Sequence, residues 1–394
     1  MQRRLTASQC LPVDRDRALL VGRAWLPSES GPAVVCLRGD AVLDVSRIAA
    51  TVSALCELDD PAATIGAATD LPRIGSVEAM LSNSASSRSD PALPWFLAPC
   101  DLQAIKASGV TFVSSMLERV IEEQARGDPA KAESVRKAIV NVIGDDLASI
   151  RPGSPDAARL KEALIAQRAW SQYLEVGIGP DAEIFTKAQP MSAVGIGAEI
   201  GLHPKSEWNN PEPEIVLAVN SRGEAVGATL GNDVNLRDFE GRSALLLGKS
   251  KDNNASCAIG PFVRLFDDTF TLEDVRRCEL AMRVDGPEGF VLEGSSSMAM
   301  ISRDPLDLVG QAIGANHQYP DGFMLFLGTM FAPTQDRLGP GQGFTHVLGD
   351  IVTIATPRLG SLVNRVARSD RIAPWTFGAR ALFESLARRG LLPS

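Results

Sequence analysis

The chain has 394 residues, of which 45% are hydrophobic, 22% charged and only 5% aromatic, and its formal net charge is −9. That length can bury a large core and more than one structural unit, while the negative balance and the scarcity of aromatic rings exclude a broad nucleic-acid or anionic-lipid surface. No run is long and apolar enough to span a bilayer, and "MQRRLTASQC" leads into charged residues rather than a signal-peptide core, so a cytoplasmic protein with neither nucleic-acid nor membrane partners is expected.

Taken in order, "RALLVGRAWLP" and "GPAVVCLRGDAVLDVS" read as short strands separated by turn residues. The Ser-rich stretch "LSNSASSRSDPALP", residues 81–94, reads as a linker, which sets an N-terminal β-rich domain at 1–95 and a second domain at 96–394. "SSMLERVIEEQA" spaces Met116, Leu117, Val120 and Ile121 at helical intervals, and "AKAESVRKAIVNVIGDDL" and "DAARLKEALIAQRAWSQYLEVG" continue as amphipathic helices. Beyond Ile184 the chain turns strand-rich: "IVLAVNSRGEAVGATLG" predicts a hairpin turning at "SRGE", and "GFMLFLGTMFAP" and "HVLGDIVTIATPRLGSLVNRV" predict further strands. "RIAPWTFGARALFESLARRG" predicts one closing helix. The six cysteines lack paired spacing, as expected of reduced thiols, and His203, His317 and His346 are too dispersed for a histidine metal site. Any metal ligands should therefore be oxygens.

"NNPEPEIVLAV", residues 209–219, sets Glu212 and Glu214 either side of a proline just before an apolar run. Side chains two apart on an extended segment share a face, and Pro213 favours that extended form. Two carboxylates so close call for a positive partner, either a divalent cation or simply water at a strand edge. Downstream, "ATLGNDVNLRDFEG" carries Asp233 in a turn and Arg237 four residues on. "LLLGKSKDNN" ends like a phosphate loop, but Ser243 stands where the first glycine is required, so nucleotide binding is rejected. Lys249 remains a cationic contact for an anionic substrate.

In combination, Glu-x-Glu, Asp-x-x-x-Arg, Gly-Lys-Ser and "LGTMFAP" resemble the catalytic domain of the fumarylacetoacetate hydrolase family over about residues 105–366. The resemblance implies a mixed α+β, β-rich fold, with a β-roll catalytic domain beside the smaller N-terminal one, and dimer formation. It further implies Glu212, Glu214 and Asp233 as ligands of magnesium, with calcium or manganese as substitutes. That donor set suits a hard cation. By the same match Arg237 and Lys249, with Ser115, Lys187 of "FTKAQP" and Thr329 of the Gly-Thr turn, fall on substrate-binding positions, and the implied reaction also gives Lys249 a catalytic role. Many hydrolases of the family carry a His-x-x-Glu pair, and aligning "GVTF" with that segment sets Ser115 at the histidine and Glu118 at the glutamate. A serine hydroxyl cannot replace imidazole as a base at neutral pH. "GVTFVSSMLER" instead resembles the sugar-acid dehydratase branch.

The implied reaction is metal-dependent loss of water from a 2-keto-3-deoxypentonate, giving 2-oxoglutarate semialdehyde in non-phosphorylated pentose breakdown, with Glu118 and Lys249 exchanging protons. Two alternatives stand beside it. One is hydrolysis or decarboxylation of a diketo acid served by His317; the other is a non-catalytic protein in which an ion only staples loops.

Overall fold

The computed structural model describes residues 5–85, 90–126, 128, 131–132, 150–166 and 170–392. The helix expected from "AKAESVRKAIVNVIGDDL" falls almost wholly outside them. In chain order the strands are β1 (Leu20–Leu26), β2 (Gly31–Arg38), β3 (Ala41–Asp44), β4 (Arg73–Ser76), β5 (Trp95–Leu97), β6 (Ala104–Ser108), β7 (Ile184–Ala188), β8 (Glu199–Leu202) and β9 (Asn209–Asn210). They continue as β10 (Pro213–Val219), β11 (Ala225–Asp233), β12 (Asn235–Leu236), β13 (Cys257–Leu265), β14 (Glu279–Asp285), β15 (Val291–Ser297), β16 (Phe323–Phe326), β17 (Ile351–Thr356) and β18 (Gly360–Arg368).

Eleven of these form one sheet ordered β4-β3-β2-β1-β13-β11-β10-β16-β6-β7, with β5 on β1. A second sheet runs β15-β14-β17-β18-β8, and β12 pairs with β9 alone. The result is the mixed, β-rich architecture expected. The residue-95 boundary falls inside β5, and strands from both sides share the large sheet: β1 pairs Leu20 with Arg264 and Val21 with Val263 of β13.

At the centre, β10 is buried along its whole length. Its side chains alternate between two cores, as a period of two requires. Ile215, Leu217 and Val219 enter a cluster that also holds Leu280, Met282 and Ile354 of the second sheet. Val216 and Ala218 enter a cluster on the opposite face with Val263 and Phe326. The expected hairpin is present, with β10 and β11 antiparallel and Gly223 at φ +80° in the turn, a conformation that favours glycine.

A helical layer covers one end. Helix Val113–Ala125 buries Met116, Val120 and Ile121, and packs with Leu164 of helix Pro155–Ala166, with Leu174 of helix Gln172–Ile178, and with Trp208. "DAARLKEALIAQRAWSQYLEVG" therefore supplies two described helices rather than one continuous one. The closing helix is shorter than expected, Ala379–Arg388, with Gly378 as its extended N-cap. Pro374 disfavours helical backbone in the residue before it, which keeps the preceding segment irregular. All six cysteines are free and buried, as expected, and burial pushes the thiols of Cys10, Cys56 and Cys100 up to about 12. No helix is long and apolar enough to cross a membrane among the described residues.

One ion pair ties the N-terminal segment to the large sheet. Arg264 on β13 is fully buried and donates from both terminal nitrogens to Asp14, at 2.7 and 2.8 Å. Removing one partner of such a pair leaves a buried charge, which costs about 3 kcal/mol or more. Asp14→Ala is therefore expected to lower the urea midpoint by about that energy at an unchanged slope. A shift below about 0.5 kcal/mol would mean that Thr269 and the Arg358 carbonyl satisfy Arg264 unaided.

Candidate metal centre and active site

The β10–β11 hairpin sets the acidic residues together. Its register pairs Pro213 with Asn232 and Glu214 with Gly231, so Asp233 ends β11 beside the residue that leads into β10. The Asp233 amide donates to the Glu212 carbonyl at 3.0 Å, and the Glu212 amide donates to Asn232 Oδ1 at 3.1 Å. One carboxylate oxygen from each of Glu212, Glu214 and Asp233 lies within 4.8 Å of the others. All three residues are at most 1% exposed.

Each carboxylate is held by a different part of the chain. Glu214 accepts from the Gly328 amide at 2.7 Å and the Thr329 hydroxyl at 3.2 Å. Gly328 has φ +99°, and a Cβ there would stand 2.1 Å from Thr111 Oγ1, so only glycine fits the turn. Asp233 pairs with Lys187 at 2.9 Å through one oxygen and Lys251 at 2.9 Å through the other. Glu212 takes Lys251 at 2.6 Å on one oxygen and Arg119 on the other. Arg119 also reaches Glu122 at 2.7 Å and Glu240 at 3.4 Å, and Arg237 stands 3.1 Å from Glu122.

Six carboxylates (Glu122, Glu183, Glu212, Glu214, Asp233 and Glu240) thus face four cations (Arg119, Lys187, Arg237 and Lys251) in one buried cluster of described residues. With all six ionised, two negative charges would be left over. Burial, then the Asp233 charge, push the Glu214 carboxyl well above the usual carboxylate range. Burial also works against the charged form of Asp233, but Lys187 and Lys251 outweigh it and hold that carboxyl low. Glu183 is pushed up to about 7 by burial and by Glu240. Three convergent carboxylate oxygens in a dry site fit a hard divalent cation.

Beside the triad is a small cavity lined by Ser108–Val110, Arg119, Tyr173, Glu183, Phe185, Glu212, Asp233, Glu240, Lys251 and Thr329. Its volume is about 20 Å³, the room of a single water, so a small acid enters only if charged side chains withdraw. A larger cleft of about 560 Å³ between Arg15–Leu19, Arg38 and Asp267 lies on other elements and shares no residue with the triad.

The expected site residues divide into three groups. Thr329 lines the cavity and bonds Glu214. Ser115, Lys187 and Arg237 are buried behind it: Ser115 donates to the Thr329 carbonyl at 2.6 Å, Lys187 serves Asp233, and Arg237 lies against the Trp208 ring and donates to Asn210 at 2.8 Å. Glu118 and Lys249 are not among the lining residues; Glu118 is half-buried and Lys249 is exposed, 5.5 Å from the Phe239 ring centre. The lysine that enters is Lys251, at the end of the same short helix, Leu247–Lys251. Two residues apart on a helix face nearly opposite ways, which decides between them. Glu183 also escaped the sequence reading, although it immediately precedes β7 and shares a period of two with Phe185 and Lys187 of that strand. Gly109 makes room for it: a Cβ there would stand 2.0 Å from Glu183 Oε2. His317 is exposed in a distant turn, and no histidine lines the cavity among the described residues.

The pattern of the fumarylacetoacetate hydrolase C-terminal family matches residues 165–367, which include the triad, Lys251 and Thr329. The chain belongs to that family. Among curated relatives it is similar to a probable 2-keto-3-deoxyxylonate dehydratase of Haloferax volcanii, 29% identical over 68% of this chain and 86% of that protein. It is also similar to the 2-dehydro-3-deoxy-D-arabinonate dehydratase of Saccharolobus solfataricus, 30% identical over 48% of this chain and 60% of that protein. A solved 2-keto-3-deoxy-D-arabinonate dehydratase, complexed with magnesium and 2,5-dioxopentanoate, covers 89% of this chain and 99% of its own at TM-score 0.59 and 20% identity. A fumarylacetoacetate hydrolase from Exiguobacterium antarcticum follows at TM-score 0.55 and 15% identity, with 89% of this chain covered and 100% of that one. At those identities the structures establish a shared fold, that of the fumarylacetoacetate hydrolase family.

Because the Glu214 carboxyl is raised, protons and a divalent cation compete for it. Affinity for magnesium, titrated by calorimetry, is expected to rise about tenfold or more between pH 6.5 and 8.5. An affinity flat across that range would show that Glu214 is already ionised without metal.

Proposed function

We propose that this family member is a hydro-lyase that removes water from a 2-keto-3-deoxypentonate and releases 2-oxoglutarate semialdehyde. The observation that carries the reading is a carboxyl raised to about 7, Glu183, lining one cavity with Lys251 and two of the three acidic side chains. The dehydratase names of both curated relatives support it. Glu212, Glu214 and Asp233 would hold the divalent cation, magnesium or with the same donors calcium or manganese, whose chemistry when bound is Lewis-acid polarisation of a 2-keto acid.

The chain's own residues supply the proton work. Near neutrality Glu183 is present in both forms, which suits a group that must take and return a proton. As carboxylate it removes a C3 proton, and the Lys251 ammonium stabilises the negative charge that develops on the 2-keto oxygen. The protonated Glu183 then donates to the C4 hydroxyl, the C4–O bond breaks, water leaves and C3=C4 forms. A further proton shift from C5 to C3 gives the C4=C5 enol, and protonation at C4 yields the aldehyde. The roles first given to Glu118 and Lys249 pass to Glu183 and Lys251 in this reading, because those two line the cavity. Thr329 orients Glu214 through its hydroxyl.

Incubation of racemic 2-keto-3-deoxypentonates with magnesium, with and without chelator, tests the activity, the aldehyde being trapped by a coupled dehydrogenase. Chelator-sensitive aldehyde is expected. Absence of aldehyde, with pyruvate or carbon dioxide formed from a diketo acid instead, would move the protein to the hydrolase or decarboxylase reading. A tightly held ion that survives dialysis and raises thermal stability, with no turnover of either substrate, would leave the ion a structural role.

A second measurement separates the two lysines. Lys251→Ala is expected to lower kcat by about a hundredfold or more, whereas Lys249→Ala, at an exposed position, stays within about twofold. The reverse ranking would return the catalytic lysine to position 249.

A further inference from the structure

Besides the triad side chains, the cavity has polar lining contributed by three separate elements, one of which, Arg119, also pairs with Glu212. Arg119 comes from helix Val113–Ala125, Tyr173 from helix Gln172–Ile178, and Glu240 from the end of the short helix Arg237–Glu240. Tyr173 and Glu240 are each 6% exposed, so a ligand that reaches them replaces their contact with water. Glu240 Oε2 is buried and accepts no hydrogen bond among the described residues. Its cation, Arg119 Nη1, stands 3.4 Å off and already donates to Glu122 at 2.7 Å. The charged groups that face Tyr173 are Glu240, Arg119, Glu122 and Glu183, and burial with the Glu240 charge keeps the phenol protonated.

This wall therefore offers one strong acceptor that lacks a donor and one phenolic donor. A ligand hydroxyl satisfies both, because it donates one hydrogen bond and accepts another. A methyl group would leave the Glu240 oxygen buried and unpaired, and an acyl oxygen would set acceptor against acceptor; both are costly in a site that excludes water. In the dehydration reading the carboxylate and 2-keto ends of the substrate lie at the triad. The part left for this wall is the terminal carbon, which in a pentonate carries a hydroxyl.

We propose that Glu240 and Tyr173 read the terminal hydroxyl of the substrate and set a preference for 2-keto acids with a hydroxylated tail over those with an alkyl or acyl tail. The hydroxyl donates to Glu240 Oε2 and accepts from the Tyr173 phenol, while Arg119 holds Glu240 in place. This rests on the dehydration reading and deepens it by naming the part of the substrate that is recognised.

The test compares 2-keto-3-deoxypentonate with 4-hydroxy-2-oxopentanoate, which keeps the leaving hydroxyl on C4 but ends in a methyl group. Aldehyde from the first is followed through a coupled dehydrogenase and enone from the second by ultraviolet absorbance. The protein is expected to favour the pentonate in kcat/KM by at least about a hundredfold, since a site built to hydrogen-bond a hydroxyl rejects an analogue without it by up to about 10⁴-fold or more. Tyr173→Phe and Glu240→Leu are each expected to shrink that ratio to below about tenfold, with the loss falling on the pentonate. Competition by 2-oxobutanoate, which has no hydroxyl to read, should shift by less than about threefold. If both substrates and 2-oxobutanoate weaken in parallel, or the ratio stays unchanged, the hydroxyl-reading role is overturned while aldehyde formation by the unaltered protein keeps the dehydration reading intact. If the unaltered protein forms no aldehyde from any pentonate, the dehydration reading fails and this inference falls with it. Should Glu240→Leu fail to fold, Tyr173→Phe decides alone, since it deletes only a hydroxyl.

Discussion

Bringing Glu212, Glu214 and Asp233 within 4.8 Å of one another in a dry interior sets up a repulsion that would be modest in water and is large at low dielectric. Much of the surrounding structure answers that repulsion. Strand β7 supplies Lys187 to one Asp233 oxygen, and the short helix Leu247–Lys251 supplies Lys251 to the other. The turn after β16 aims a backbone amide and a hydroxyl at Glu214. The helical layer delivers Arg119 to Glu212. Four segments thus converge on one hairpin.

That arrangement explains which parts of the site were legible in the sequence. Glu212 and Glu214 stand out because Pro213 enforces extension and the next residues are apolar, so face and burial follow from local rules. Asp233 reads in the sequence as a turn residue, and as a ligand only through the family resemblance; in the structure it ends β11, where the local hairpin, turning at Asn220–Glu224, sets it beside Glu212. The side chains that close the cavity depend on long-range packing. Arg119, Tyr173 and Glu240 sit on three separate helices, and nothing in their neighbours' spacing says that these ends meet. Lys251 was obscured differently: Gly248 makes Lys249 look exceptional, yet the short helix turns Lys249 to solvent and Lys251 inward.

The fold shows the same division between local and long-range information. Alternation along β10 and β11 predicts their pairing, and the stripe of Met116, Val120 and Ile121 predicts a helix and its buried face. Composition marks a loop near residue 90, but it carries no information on which strands hydrogen-bond across it. In the structure the segment before that loop extends the same large sheet through β1 and β13. The Asp14–Arg264 pair, joining residues 250 apart, is the polar counterpart of that junction.

The ion pairs that quiet the triad also oppose its use. Lys251 bonds Glu212 and Asp233 at once, so each carboxylate oxygen it holds is one that a metal must contest. Compensation by ammonium and guanidinium groups is softer than compensation by a divalent ion, because their charge sits at the end of flexible stems that can withdraw. Lys187 differs in this respect: it is wholly buried and also donates to the Val234 carbonyl at 3.1 Å, which anchors it. The two lysines on Asp233 are therefore unequal, one built into the scaffold and one lining the cavity at the end of a short helix. A site of this kind keeps its acidic residues folded in place with Lys187 and Gly328, and leaves Lys251 as the group whose withdrawal would make room for a ligand. The small volume of the cavity is a consequence of the same electrostatics, since the charges that fill it are those a substrate and a cation would replace.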